Sequence, residues 1–145
     1  MNHNFMKIAL ETAVKSGNDI PIGAVIVKDN EIIAIAHNEK EHLQDVTAHA
    51  EILAIRKASQ SLNSWRLNDC SLYVTLEPCP MCLWAILQAR IKNLYFGTFD
   101  TLYGGTSTLP QMLSISNSKL KIKGGIMEEE CNKILENYFQ SMRKK

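Results

Sequence analysis

The chain lacks most of the features that assign a protein to a broad class at a glance. Among its 145 residues no apolar run reaches the roughly 18 that a membrane span needs, which argues against a helical membrane protein. Its first ten residues, MNHNFMKIAL, show no charged stretch leading into a long apolar stretch and a small-residue cleavage site. No signal peptide is read, and a cytoplasmic location is expected. An excess of one charge is also missing: 16 Lys plus Arg against 15 Asp plus Glu leaves a net charge of +1. Bulk electrostatics therefore do not advertise a nucleic-acid partner, and any polyanion must be met by a local patch. No repeat and no low-complexity tract interrupts the sequence. Cysteines number only four, and in a cytoplasmic protein they favour metal or catalytic roles over disulfides. Cys70 and Cys131 stand alone and read as buried small hydrophobes.

What is present is a core. Hydrophobic residues make up 46% of the chain, which excludes disorder, and the length suits one domain over 1–145. Residues 4–16 place Phe5, Ile8, Ala9, Ala13 and Val14 close to helical period, and Gly17 stops them. Residues 22–28 and 31–36 read as strands joined at Asp29-Asn30, a hairpin. Thr47 is placed to cap a helix running to about Ser59. Residues 71–76 are nearly continuously apolar, as in a central strand. Pro78 and Pro80 end it, and a helix follows from Met81 to Gln88. Further strands are expected at 92–97 and, as an edge with outward lysines, at 119–123. A closing amphipathic helix is expected over 127–143, and loops around 100–110 and 114–119. One hairpin followed by strand–helix alternation gives a mixed sheet of five strands with helices on both faces, the later strands parallel because helices connect them.

The chemistry lies in two short stretches. In TLEPCPMC (75–82), Cys79 and Cys82 follow a buried strand and open a helix. Positions i and i+3 share one helix face, so both sulfurs can approach one ion. The partial positive charge of a helix N-terminus favours thiolates there, and Pro80 suits a first-turn position. A C-x-x-C pair alone is equally half a structural zinc site, a redox pair or chance. In HAEI (49–52), His49 is a good zinc ligand expected in the first turn of its helix. Glu51, two residues on, points elsewhere and suits a neighbour of the metal. Three ligands come from these motifs, while His3, His37 and His42 sit in no matching context. Structural zinc sites are closed by four protein ligands, whereas catalytic ones leave a position for water. Zinc lowers the pKa of such a water from about 16 toward 7 and makes it a nucleophile at neutral pH. A carboxylate beside it can carry the proton to a leaving nitrogen. The combined pattern H-x-E…P-C-x-x-C is the known signature of zinc nucleobase deaminases. One Zn²⁺ per chain is expected on His49, Cys79 and Cys82, with Glu51 as the proton shuttle and the Cys79 backbone N–H polarising the attacking oxygen.

Taken with their flanks, IPIGAVIV (20–27), DVTAHAEILAIR (45–56), WRLNDCSLYVTLEPCPMC (65–82), QARI (88–91) and FGTFD (96–100) make the chain resemble the TadA-type tRNA adenosine deaminases over nearly its whole length. The resemblance implies a three-layer α/β/α, cytidine-deaminase-like fold. It implies hydrolysis of adenosine to inosine at the wobble position of a tRNA anticodon, hydroxide attacking C6. It further implies a homodimer that takes a flipped base from the anticodon loop; no other protein partner is evident. By position, Asn38 matches the asparagine that reads the base edge, and Asp100 the aspartate that contacts the substrate nucleotide. Tyr138-Phe139 and Arg143 match the aromatic-basic ending that holds the anticodon loop, with Phe139 as the candidate contact. Residue by residue, blander roles stand beside these: Asn38 as a turn residue, Asp100 as a loop cap, Phe139 as core.

Two stretches depart from the family. Gln140 stands where an arginine is usual, and Thr101-Leu102-Tyr103 lacks a lysine. Lys119, Lys121 and Lys123, or Arg143-Lys144-Lys145, are the candidate replacements for RNA contact, and a solvated edge and tail is the alternative for both. Two other functions remain open at this point: a free-base or nucleoside deaminase (guanine or cytosine) on the same scaffold, and a non-catalytic zinc-containing RNA-binding module.

Overall fold

Alternation along the strands determines the layers. In the computed structural model, which describes residues 1–116 and 118–143, β1 (Gly23–Lys28) is buried on both sides. Val25 and Val27 point to one face, and Ala24 and Ile26 to the other. β1 turns back into β2 (Glu31–His37) through Asp29 and Asn30, whose φ values are 50° and 63°. Two consecutive positive φ angles are what a tight hairpin turn needs to match the strand twist, and Asp and Asn tolerate them. β1 also pairs antiparallel with β3 (Cys70–Leu76). β3 runs parallel to β4 (Asn93–Thr98), and β4 parallel to β5 (Lys121–Lys123). The sheet order is β2-β1-β3-β4-β5, so Lys121 and Lys123 lie exposed on an edge strand as expected, whereas Lys119 precedes it, the strand being shorter than 119–123.

Helices cover both faces. Ala54, Leu83 and Ile86, from α3 (Ala50–Leu62) and α4 (Pro80–Gln88), pack with Ile26, Leu72, Val74 and Phe96 on one side. On the other side Phe5, Met6 and Ala9 of α1 (His3–Ala13) and Cys131 of α7 (Glu128–Arg143) enclose Val25, Val27 and Tyr73. α1 lies very close to the sheet: a Cβ on Gly23 would fall 1.9 Å from the Ala9 carbonyl oxygen. Cys70 and Cys131 are buried free thiols, as their isolation predicts.

The structure differs from the sequence reading in four places. The first helix is α-helical only to Ala13 and tightens into a 3₁₀ turn over Val14–Ser16 before Gly17, at φ 64°, ends it. Thr47 does not cap α3. Its backbone N–H and hydroxyl both donate to the Asp45 carboxylate, at 2.9 and 2.7 Å, and the helix begins at Ala50 with His49 in the N-cap position. A one-turn helix, α2 (Lys40–Leu43), precedes it. Two more short helices follow β4, α5 (Gly105–Thr108) within the first expected loop and α6 (Gln111–Ile115) running into the second. None of the three short helices is long enough to show an apolar period. Within 114–119, residue 117 lies outside the described residues, as do Lys144 and Lys145 at the end of the basic tail.

Strand directions bring the important segments to one edge of the sheet. β2 and β3 are both antiparallel to β1, and β4 is parallel to β3. The carboxyl ends of β2, β3 and β4 therefore open on the same side, and they lead directly into Asn38, Glu77–Cys79 and Asp100. In open sheets that edge is where ligands bind.

Candidate active site

The floor of the site is formed by two helix starts facing each other. His49 is the N-cap residue of α3 and Cys79 that of α4, with Pro80 in the first turn and Cys82 one turn deeper. His49 Nδ1 stands 3.8 Å from Cys79 Sγ and 3.5 Å from Cys82 Sγ. The three ligand atoms lie within 4.8 Å of one another, and no other such cluster occurs among the described residues. A tetrahedral ion with Zn–S near 2.3 Å and Zn–N near 2.05 Å separates sulfur and nitrogen by about 3.6 Å. The observed spacing fits that geometry without rearrangement.

The electrostatics of the cluster point the same way. A hydrogen bond with Cys82 and another with His49 hold the Cys79 thiol far down, to about 4, against the opposing effect of burial. Its pair with Cys79, together with burial, pushes the Cys82 thiol up strongly. The Cys79 sulfur in turn raises the His49 imidazole. The surroundings of Cys79 thus favour its thiolate, the donor chemistry that a divalent cation of intermediate softness takes up.

Glu51 sits one helix position beyond Ala50 and is 4% exposed. Its Oε1 has no hydrogen-bond partner among the described residues. Burial pushes its carboxyl up to about 7. An unpaired buried carboxyl costs stability, and its place beside three metal-type ligands suits a group that holds a proton and passes it on.

Asn38 follows β2 directly and is buried. Its Oδ1 accepts the Ala50 backbone N–H at 2.8 Å, fastening the start of α3 between His49 and Glu51. On the far side of the cleft, Asp100 forms a small turn: its Oδ1 accepts the N–H groups of Leu102 (3.1 Å) and Tyr103 (3.0 Å). The cleft itself is open, about 1330 Å³, and is lined by His49, Glu51, Asn38 and Asp100 among others. Phe139 does not line it. That ring is 44% exposed and meets Tyr138 edge-on at 5.3 Å. Tyr138 and Met142 form the wall instead, and the Tyr138 hydroxyl donates to the Asn18 carbonyl at 2.9 Å.

Sequence reasoning also passed over Glu77 and Asp19. Both are buried carboxylates on the cleft wall. Asp19 accepts the N–H groups of Glu41 and His42 at the start of α2. Burial would raise the Glu77 carboxyl, but donors from Thr106, Ser107 and the Asp100 backbone outweigh it and hold the group below the usual range. Glu77 was visible inside the T-L-E-P-C motif, but nothing local indicated what it binds.

The model of the MafB19-like deaminases matches residues 2–143. The chain belongs to that family. It is 43% identical over 145 residues to the tRNA-specific adenosine deaminase of Bacillus subtilis (strain 168), with 97% of this chain and 90% of that one covered. A structure solved in a study of A-to-I editing by tRNA:A34 deaminases superposes with a TM-score of 0.89 at 41% identity, covering 92% of this chain and all of the other. The structure of guanine deaminase from Bacillus subtilis is 48% identical over 70% of this chain and 67% of that one, with a TM-score of 0.66. The three-layer arrangement of this MafB19-like deaminase is the cytidine-deaminase-like fold that the family resemblance implied.

Proposed function

We propose that this chain deaminates adenosine to inosine at the wobble position of a tRNA anticodon. The observation that carries the reading is the buried Glu51 carboxyl, one oxygen unpartnered, beside His49, Cys79 and Cys82 in an open cleft. Those three residues would hold one Zn²⁺. The ion would supply, when bound, Lewis acidity that makes water nucleophilic near neutral pH. Glu51 takes the two protons of the attacking water in turn, passing the first to the ring nitrogen and the second to the departing amine, so adenosine and water give inosine and ammonia. The start of α4 at Cys79 directs its backbone dipole at the site of developing charge on oxygen.

Because the Asn38 oxygen is taken by Ala50, its amide N–H is the group left to meet the base edge, which makes it a donor to the purine. Asp100 contacts the nucleotide from the opposite wall, and the C-terminal helix, through Tyr138 rather than Phe139, meets the anticodon loop. The cleft exceeds the roughly 300–1,000 Å³ typical of small-ligand pockets, which suits a base still attached to its chain. A homodimer in the cytoplasm, each protomer a single catalytic domain, completes the reading; the relatives that carry the tRNA-specific name support its tRNA substrate.

The similarity to guanine deaminase favours a second reading, turnover of a free purine. Incubating zinc-loaded protein separately with an anticodon stem-loop RNA, guanine, cytosine and free adenosine separates the two. Inosine within the RNA is expected. Ammonia release from guanine or cytosine, with the RNA unaltered, would overturn the tRNA reading.

A further inference from the structure

The loop that follows β4 is tied to the end of β3 by a single side chain. Glu77 is 2% exposed, two residues before Cys79. Its Oε1 accepts the Asp100 backbone N–H at 3.0 Å and the Ser107 hydroxyl at 3.0 Å. Its Oε2 accepts the Ser107 N–H at 2.8 Å and the Ser107 hydroxyl at 2.7 Å, and also the Thr106 hydroxyl. Gly104 lets the loop close around the carboxylate, since a Cβ there would fall 2.3 Å from Glu77 Cδ. The Gly105 N–H then donates to the Pro78 carbonyl at 2.7 Å. Asp100, fixed at its N–H by Glu77, in turn fixes Leu102 and Tyr103 through Oδ1.

Two carboxylates in series thus set the backbone from residue 100 to 107. The first belongs to the metal-binding segment and the second faces the cleft. We infer that Glu77 is a positioning residue for substrate: it orients Asp100 and Tyr103 toward the ribonucleotide beyond the reacting base, and it couples their placement to the segment that carries Cys79. This rests on the proposed activity toward RNA. The tie must be a carboxylate. Each of its oxygens takes one backbone N–H, and a glutamine has only one acceptor, so one N–H would face an NH₂ group instead.

The test is steady-state editing of an anticodon stem-loop RNA by zinc-loaded Glu77→Gln, with bound zinc and melting temperature measured alongside. The expected result is a KM raised about tenfold, exceeding the fall in kcat by at least fivefold, with zinc content unchanged. The pair Thr106→Val and Ser107→Ala, which removes the hydroxyl donors from the other side, is expected to raise KM in the same direction, and it carries the test if Glu77→Gln does not fold. Combining all three changes is expected to do no more than Glu77→Gln alone, because one contact is being removed twice. A wild-type KM in folded Glu77→Gln, additive effects, or a loss of kcat that simply tracks loss of zinc would overturn the inference. A wild-type protein that leaves the RNA unedited would overturn the proposed function and this inference with it, an outcome distinguishable because it is read before any variant.

Discussion

Asn38 Oδ1 accepts the Ala50 backbone N–H at 2.8 Å, and that one bond joins the end of the hairpin to the helix start that carries both His49 and Glu51. It gives Asn38 two tasks that substitution can separate. Asn38→Asp keeps an acceptor for Ala50 but loses the amide N–H. It is expected to melt near the wild-type temperature while editing falls at least tenfold. Asn38→Ala leaves the buried Ala50 N–H unsatisfied and should also lose about 1–3 kcal/mol of stability. Paired melting curves and turnover rates check both, and an Asp variant as active as wild type removes the base-edge role.

Glu51 makes the opposite prediction for stability. Its carboxyl is buried with one oxygen unpartnered, so replacing it with glutamine removes an ionisable group from a site that opposes its charge. Glu51→Gln is expected to retain zinc and melt at or above the wild-type temperature. Turnover should fall by about 10²–10⁴, the usual weight of a general acid–base group. Undiminished turnover would sink the assigned role.

The metal is expected to be structural as well as reactive, because its ligands join the start of α3 to the start of α4. Chelation should abolish turnover and lower the melting temperature, and added Zn²⁺ should restore both. Cys82→Ala is expected to purify with little zinc and to melt lower still. Elemental analysis giving one zinc per chain in wild type, and a loss of it in the variant, is the check.

Tyr138 and Phe139 are neighbours with different surroundings. The Tyr138 hydroxyl bonds to the Asn18 carbonyl on the cleft wall, whereas Phe139 lies outside the cleft. Tyr138→Ala is expected to raise KM for stem-loop RNA severalfold and Phe139→Ala to raise it less. Equal or reversed effects in the kinetics would place the RNA on the other side of the C-terminal helix.

The parts of the site that sequence revealed are those whose chemistry is local. Cys79 and Cys82 share a helix face by spacing alone, and the paired positive-φ turn at Asp29-Asn30 follows from residue type. The five strands and their layering were legible because buried strands and amphipathic helices impose periods. One-turn helices impose none: α5 lies in a stretch expected as loop, and α2 and most of α6 lie where no element is expected. Thr47 illustrates a different limit: a hydroxyl before a helix can cap it or serve a neighbouring carboxylate, and Asp45 wins here. Glu77 shows the strongest one, because its partners lie 23 to 30 residues away and no spacing rule connects them.

The shared opening of β2, β3 and β4 has a consequence for how substrate range can change in such proteins. The ion-binding floor is anchored in two helix starts, whereas Asn38 stands on the connection after β2 and Asp100 and Tyr103 on the connection after β4, joined to the floor through Ala50 and Glu77. Floor and rim therefore exchange only a few defined hydrogen bonds. Grafting a foreign 100–110 segment that keeps the hydroxyl and amide donors to Glu77 should redirect the catalyst from one purine context to another while the reaction itself is kept.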